Sequence, residues 1–479
     1  MDRRTFLAST ALASSSSALA SSSSALHSAA PARPNFLFLI ADDLTHNAIR
    51  AMGNSEVDTP NLDRLIRRGC AFTHCFHQGA WLGAVCVASR SMLNSGLTGF
   101  RVQQHFEQTP LWGETFAAAG YRTAIVGKWH LSKPALDRSF QDSGTVFMGG
   151  MYESGPEAYH RPAPGNNWNP WDPAFQGQWM HSRPFQPDAP DAVKHSARIW
   201  AECAAEKLAA LAARPDPFFL YVGFTSPHDP RQAPKEFVDR YPAGKIALPA
   251  NYQPDHPFDQ GDRKVRDELL APFPRSRNAV QVHRSEYYAH ITYLDHQIGL
   301  ILDALEKSGK AARTYVIFTA DHGLAVGQHG LMGKQNLYDH STRIPLVVAG
   351  PGVSGGRRVD ALVYQHSVFA TTCELAGVAL PKTVEFPGLA PWLRGAKGPA
   401  HEAVFCYYRD FQRSIRTRRH KLIVYPKAGV TQLFDLKHDP WETRNLAADP
   451  RHSGLAASLG RALRQHQQDL GDPLRLDAA

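Results

Sequence analysis

Four short stretches of the chain carry side chains suited to chemistry, and each follows a run of apolar residues. Asp42-Asp43 ends the run Asn35-Phe36-Leu37-Phe38-Leu39-Ile40-Ala41, and Lys128-Trp129-His130 follows Gly120 to Gly127. His228 follows Phe218-Phe219-Leu220-Tyr221-Val222 by a few residues, and Asp321-His322-Gly323 ends Thr314-Tyr315-Val316-Ile317-Phe318-Thr319-Ala320. Asp42, Asp43, Asp321 and His322 brought to one spot would concentrate negative charge. Such a cluster needs a cation, and carboxylate oxygens favour a hard one such as Ca²⁺ or Mg²⁺. A solvated acidic rim is the plain alternative, and a single aspartate more often caps the next helix. Four separate run ends carrying Asp-Asp, Lys-x-His, His and Asp-His argue instead for one site.

A fifth stretch adds a nucleophile. Cys86-Val87-Ala88-Ser89-Arg90 runs into Ser91-Met92-Leu93, which reads as the start of a helix. Free N–H groups and the macrodipole draw an anion to such a terminus. A cysteine placed there with Arg90 one turn along suits an activated nucleophile. The Cys-to-Arg spacing is too short for the phosphate loop of the cysteine phosphatases.

The elements that must position these residues follow from the apolar runs. Short, continuously apolar segments fit strands buried on both faces, as in a parallel sheet. Between them lie helix patterns: Thr59-Pro60 to Gly69, a long Ala-rich stretch from Asp191 to Ala213, and a stripe of Ile291, Leu294, Ile298, Ile301 and Leu305. Alternating strands and helices predict an α/β domain, in which ligands bind beyond the carboxyl ends of the strands. Between Phe140 and Arg275 the chain is rich in Pro, Trp and His. Trp168, Trp171 and His181 are candidate substrate contacts there, although such residues also simply pack loops down. After Gly395 short runs at hairpin spacing predict a small antiparallel sheet closed by a helix from Leu455 to Leu470. The expected organisation is a signal segment over 1–30, a catalytic domain over 31–398 and a smaller subdomain over 399–479.

Composition narrows the function classes. The chain has 479 residues, 43% of them hydrophobic and 20% charged, which excludes intrinsic disorder and a collagen-like repeat. No apolar stretch beyond the N-terminus is long enough to span a bilayer, so no integral membrane span is expected. The formal net charge of +8 comes without a long Lys/Arg run, which speaks against nucleic acid as a partner. Cysteines at 70, 75, 86, 203, 373 and 406 form no C-x-x-C pair and are too sparse for a disulfide scaffold. At the N-terminus, Arg3-Arg4 precedes a weakly apolar Ala/Ser tract, the pattern of a twin-arginine export signal; a polar tail that happens to begin with Arg-Arg is the alternative. Export by that route predicts a periplasmic or secreted protein and carries folded chains, so chemistry done in the cytoplasm travels with them.

Taken in order, these motifs resemble the type I sulfatases of the alkaline phosphatase superfamily. The resemblance rests on Asp42-Asp43, Cys86 to Arg90, Gly120-Tyr121-x-Thr123 with Gly127-Lys128-Trp129-His130, and Pro227-His228. It continues through Asp321-His322-Gly323, His329-Gly330, Lys334, and Leu433-Phe434-Asp435-Leu436 with Asp439-Pro440-x-Glu442. Asp321-His322 and Pro234-Lys235-Glu236-Phe237 are most similar to the branch holding iduronate-2-sulfatase and choline-sulfatase-like enzymes. The resemblance implies an alkaline-phosphatase-like fold, a large mixed and mostly parallel sheet flanked by helices. It implies that a maturation enzyme oxidises Cys86 to Cα-formylglycine, whose hydrate attacks sulfur with one hydroxyl and expels sulfate with the other. It further implies a divalent ion, calcium with Mg²⁺ or Mn²⁺ as alternatives, held by Asp42, Asp43, Asp321, His322 and the modified Cys86. Arg90, Lys128 and Lys334 would neutralise sulfate, and Asp321 would assist deprotonation of the attacking hydroxyl. His228, alone or together with Lys334, would protonate the leaving alcohol, His130 would be the base for sulfate release, and His329 would contact substrate. The chain departs from the family at Ala88, where proline is usual, and at His322, where many members have asparagine.

The expected activity is therefore sulfuric-ester hydrolysis, with a sulfated carbohydrate as the substrate class. Alternatives are a choline or aryl sulfatase, a phosphonate or phosphodiester hydrolase using the same groups, and a catalytically silent carbohydrate-binding protein. Replacing Arg3 and Arg4 together with lysine is expected to hold the protein in the cytoplasm of an exporting host; unchanged periplasmic yield in a fractionation blot would reject the export reading.

Overall fold

The computed structural model describes residues 33–149, 194–229, 231–271 and 273–476. The expected signal segment and Trp168, Trp171 and His181 lie outside the described residues. The strands are β1 (Asn35–Ala41), β2 (Cys70–Phe76), β3 (Gly79–Ala80), β4 (Arg122–Lys128), β5 (Asp142–Phe147), β6 (Phe218–Gly223), β7 (Thr314–Ala320), β8 (Arg343–Ala349), β9 (Arg357–Tyr364), β10 (Ala403–Tyr408), β11 (Gln412–Thr417), β12 (His420–Tyr425) and β13 (Val430–Asp435).

The first sheet has the order β5-β4-β6-β1-β7-β8-β2-β9. β8 pairs antiparallel with both β7 and β2, and the other pairings are parallel, so β8 alone runs against the rest. All seven residues of β1 and of β7 are buried, as continuous apolar runs covered on both faces require. Alternate residues of β1 share a face: Phe36 meets Phe116 at a centroid distance of 5.3 Å, and Phe38 meets Trp112 at 4.9 Å. Trp112 reaches on to Phe219 of β6 at 4.7 Å. The helix Trp112–Ala118 is thereby held against the sheet by aromatic edges and faces, each such pair adding about 0.5–1.5 kcal/mol beyond its buried area.

Four strands that are neighbours in the sheet, β4, β6, β1 and β7, run parallel and end on one edge. They are the four whose ends carry Lys128, His228, Asp42-Asp43 and Asp321-His322. At that edge β4 and β6 come so close that a side chain on Gly127, which has a φ of 84°, would place its Cβ 2.0 Å from the carbonyl oxygen of Gly223. Glycine is the residue that tolerates both the left-handed backbone and the approach.

Four strands of this sheet lack a clean apolar signature in the sequence, the first being the edge strand β5, which opens on Asp142-Ser143-Gly144. β2 is interrupted by Thr73-His74, β8 holds Pro345, and the edge strand β9 opens on Arg357-Arg358 and carries Asp360. Polar residues and proline are tolerated where one flank of a strand meets solvent or another element replaces a ladder bond.

The second sheet, β13-β12-β11-β10-β3, is antiparallel through β10 and closes with the two-residue β3, which pairs parallel to β10. The expected small antiparallel sheet is thus present, with one addition: β3 comes from residues 79–80, a few positions before the helix Val85–Ser95 that carries Cys86. Helix Ser453–Leu470 packs on its β11 and β12. A buried charge cluster links this sheet to the chain entering β8. Asp339 accepts from Arg416 at 3.2 and 3.1 Å and from Lys421 at 3.0 Å, while Lys421 also meets Glu442 at 2.8 Å. Burial would push the Asp339 carboxyl up, but Arg416, Lys421 and Arg343 outweigh it and hold the group well below the usual carboxylate range.

Removing one member of a buried ion cluster strands the others in a dry interior. Asp339→Ala is expected to cost about 3–5 kcal/mol in urea unfolding, and a loss under about 1 kcal/mol would show that the cluster is not a clamp.

Candidate active site

The pocket is assembled from four strand ends and one helix start. Asp42 and Asp43 leave β1 at its buried end; the Asp42 N–H donates to the Ser226 carbonyl at 3.0 Å, which ties this turn to the one that carries His228. Asp43 takes a φ of 69°, an uncommon backbone for a non-glycine residue. It is held there from three sides. Its N–H donates to Asp321 Oδ1 at 3.2 Å, its carbonyl accepts from the Tyr287 hydroxyl at 2.6 Å, and its Oδ1 accepts from Lys334 Nζ at 2.9 Å.

Asp321 receives three donors. Oδ1 accepts from the N–H groups of Asp43 and His322, and Oδ2 accepts from Arg90 Nε at 3.0 Å. Burial pushes this carboxyl up, yet the neighbouring His322, Arg90 and Lys128 overcome it and hold Asp321 well below the usual range. Its backbone carbonyl accepts from the Ser89 hydroxyl at 2.6 Å, and Ser89 Oγ also lies 3.0 Å from Gln365 Oε1. Arg90, fully buried, turns a second nitrogen to the Lys128 carbonyl at 2.9 Å, and the Lys128 ammonium donates to Asp42 Oδ2. The pentapeptide that starts with Cys86 therefore braces the two strand ends on either side of the β1 turn.

The donor set suits a hard or borderline divalent ion. Asp42, Asp43, Asp321 and His322 each offer an atom within 4.8 Å of the others, and Asp42, Cys86 and His322 form an overlapping group. Asp42 Oδ1, Asp43 Oδ2 and His322 Nε2 are buried with no hydrogen-bond partner among the described residues. Buried polar atoms are nearly always satisfied, so the orphans Asp42 Oδ1 and His322 Nε2, 3.9 Å apart within this group, fit a place for a cation. The imidazole is also turned for it: His322 Nδ1 lies 3.0 Å from the Gly323 carbonyl, which can only accept, leaving the lone pair on Nε2. Nε2 stands 3.2 Å from Asp43 Oδ1 and 3.5 Å from Asp321 Oδ1. Burial drives the Asp43 carboxyl well above its usual range despite Lys334, the expected result where several carboxylates share a dry pocket.

Cys86 is the second residue of the helix Val85–Ser95, its thiol 3% exposed as a residue and grouped with Asp42 and His322. A free guanidinium nitrogen is at hand, since Arg90 Nη2 has no hydrogen-bond partner among the described residues. Across the pocket, His228 Nδ1 lies 2.8 Å from the carbonyl of Asp229 and its Nε2 lies 3.0 Å from Lys334 Nζ. The carbonyl fixes the proton on Nδ1, so Nε2 accepts from the lysine, and burial with the Lys334 charge keeps the ring neutral. His130 follows β4 with a φ of 62°, its Nδ1 without a partner among the described residues; burial, then Lys128, push its imidazole down to about 3.

The residues singled out in the sequence thus separate into two sets. Asp42, Asp43, Cys86, Arg90, Lys128, His130, His228, Asp321, His322 and Lys334 are joined by the contacts above or follow directly from the same strand ends. His329 takes no part in those contacts: it is buried, its ring stacked 3.9 Å from that of Tyr338, and its backbone N–H donates to the Asn251 carbonyl. Tyr287, Ser89, Gln365, Asp229 and Arg266 belong to the site's support and were not visible as such. Tyr287 carried a signal, since the helix Arg277–Lys307 extends well before the apolar stripe that begins at Ile291.

Comparison with known proteins agrees with this geometry. The family model described as Sulfatase matches residues 34–378, and the one described as N-sulphoglucosamine sulphohydrolase, C-terminal, matches residues 327–469. The chain is 27% identical over 446 residues to the choline-sulfatase of Rhizobium meliloti (strain 1021), covering 88% of this chain and 83% of that one. It is 26% identical over 470 residues to an ulvan-active sulfatase of Formosa agariphila, covering 93% and 83%. The structure of a 2-O GAG sulfatase superposes with a TM-score of 0.68 at 24% identity, covering 93% of this chain and 95% of the other, which establishes the shared fold. With its strand-end cluster in place and the family model spanning most of its length, the chain belongs to the sulfatase family.

Proposed function

We propose that the protein is an exported sulfuric-ester hydrolase that removes sulfate from a sulfated carbohydrate, with Cys86 oxidised to Cα-formylglycine by a maturation enzyme. The observation that carries the reading is the shared location of Cys86, Asp42 and His322 in one buried group at a helix start. The carbohydrate class draws support from the likeness to an ulvan-active sulfatase.

Asp42, Asp43, Asp321 and His322 would hold a divalent cation, calcium with magnesium or manganese as alternatives, which when bound supplies Lewis-acid polarisation of a sulfate oxygen. The hydrated aldehyde would supply two hydroxyls on one carbon, one to take the SO₃ group and one to release it. Around them, Arg90 and Lys128 fix the two strand ends and present positive charge to an anion at the helix start. Asp321, kept ionised by its donors, is placed to take the proton of the attacking hydroxyl. Lys334 carries the proton of the His228–Lys334 pair and passes it to the departing alcohol oxygen, so the lysine shares the acid role expected for His228. His130, neutral through burial, can accept the proton released when sulfate leaves.

A panel of sulfated mono- and oligosaccharides, choline sulfate, an aryl sulfate and a phosphonate ester tests the substrate class; a sulfated sugar is expected to give the highest kcat/KM. Preference for the phosphonate ester would overturn the reading. Mass spectrometry of the peptide containing position 86 is expected to find an aldehyde, and Cys86→Ala to abolish turnover; full activity with an intact thiol would refute the mechanism. For the cation, protein stripped with a chelator is expected to gain about 2.7 kcal/mol of stability at a hundredfold excess of ion over Kd. His322→Ala should remove that gain, and an equal gain in the variant would place the ion elsewhere.

A further inference from the structure

His228 and Lys334 sit on loops 106 residues apart, yet their nitrogens are held 3.0 Å from one another. No local backbone geometry can set that spacing, and a lysine side chain gives up much rotamer freedom when fixed. Asp43 lies 2.9 Å from Lys334 Nζ and 3.8 Å from His228 Nε2, and a second segment, Arg266-Asp267-Glu268, also meets both loops. Arg266 forks onto the carboxylate of Asp229, the residue after His228, with Nη2 at 3.2 Å from Oδ1 and Nη1 on Oδ2, and Nη2 also donates to Asp267 Oδ1. The other Asp267 oxygen accepts from Gln335 Nε2 at 2.7 Å and lies 3.9 Å from Lys334 Nζ. Glu268 accepts from the backbone N–H groups of Met332 and Gly333, both at 2.9 Å, and is itself gripped by Arg275 at 2.6 Å. Three consecutive residues therefore hold the residue after His228, the neighbourhood of the Lys334 ammonium, and the backbone that delivers Lys334. Gly333 is packed so tightly that an added Cβ would lie 2.8 Å from that of Asp267.

We infer that Arg266, Asp267 and Glu268 form a positioning brace that sets the His228–Lys334 pair at the angle needed to protonate the leaving oxygen. The inference rests on the proposed reading of that pair. When the S–O bond to the alcohol breaks, both bonding electrons stay on the alcohol oxygen, which takes a proton from Lys334 Nζ; His228 Nε2 keeps the ammonium aimed. The planar fork lets one guanidinium serve two carboxylates at once, which a point-charge ammonium does only in part. Arg266 is a positioning residue, since both faces of its fork are spent on aspartates.

The test compares esters that differ in need of that proton. For Arg266→Met, kcat/KM is expected to fall about a hundredfold on a sulfated sugar, whose alkoxide must be protonated, and less than about fivefold on 4-nitrophenyl sulfate, whose phenolate leaves unaided. Arg266→Lys should come within about tenfold of the unmodified protein on the sugar ester. Asp267→Asn, which keeps shape and removes the charge facing Lys334, should show the same selective loss at about tenfold, and decides the matter if Arg266→Met does not fold. Equal losses on both esters, or none on either, would overturn the brace. If the unmodified protein releases sulfate from neither ester, the proposed function falls, and crystal structures of the unmodified and Asp267→Asn proteins then decide. An unchanged 3.0 Å contact between His228 and Lys334 would sink the brace, and a parted pair would support it.

Discussion

The structure is organised around burying negative charge. Asp42, Asp43 and Asp321 are wholly removed from water within one small space, and three cations, Arg90, Lys128 and Lys334, are pressed against them. An isolated carboxylate in such a place would be neutralised by a proton; Asp321 keeps its charge through its neighbours and backbone N–H donors, whereas burial still drives Asp43 up despite Lys334. Because the cations are themselves buried, neither partner can be dispensed with. The orphan atoms Asp42 Oδ1, Asp43 Oδ2 and His322 Nε2 are what the compensation leaves over within that one group.

That constraint reaches into the scaffold. Each cation comes from a different part of the chain: Arg90 from the helix behind Cys86, Lys128 from the last residue of β4, Lys334 from the loop before β8. The parallel strands must end together for Lys128 to meet Asp42 and for the Asp42 N–H to meet Ser226, and the glycine contact between β4 and β6 permits that alignment. The second sheet contributes through β3, whose pairing with β10 holds the approach to the Cys86 helix. A side chain on Gly79 would bring a Cβ within 1.8 Å of the Tyr407 carbonyl oxygen, so that approach too depends on a missing side chain.

Proton placement follows from carbonyls rather than from charge alone. The Gly323 carbonyl beside His322 and the Asp229 carbonyl beside His228 each occupy Nδ1 and leave Nε2 as the working nitrogen. In one ring that nitrogen faces the carboxylate cluster, and in the other it faces an ammonium. Two histidines with the same tautomer are thereby given different partners, a cluster of carboxylates for one and an ammonium for the other.

Much of this was legible in the residues. β1 and β7 coincide with the apolar runs read from the sequence, because strands covered on both faces need no polar alternation. The polar residues at their ends stood out for the same reason, as did the cysteine at a helix start. β2, β5, β8 and β9 were not legible: their Thr, His, Pro, Arg and Asp are compensated by neighbours distant in sequence. His329 carried a family motif, but its stacking on Tyr338 could not be read from that motif. Arg266-Asp267-Glu268 read as part of a polar loop, since nothing within ten residues shows what each carboxylate or guanidinium will meet. The order of residue types along the chain determined the buried parallel strands β1, β4, β6 and β7 and the kind of chemistry their ends could support. Which charge neutralises which, and which nitrogen of each imidazole is left open, was decided only by the tertiary structure, because electrostatic compensation in a dry interior depends on distances between segments that the chain does not encode locally.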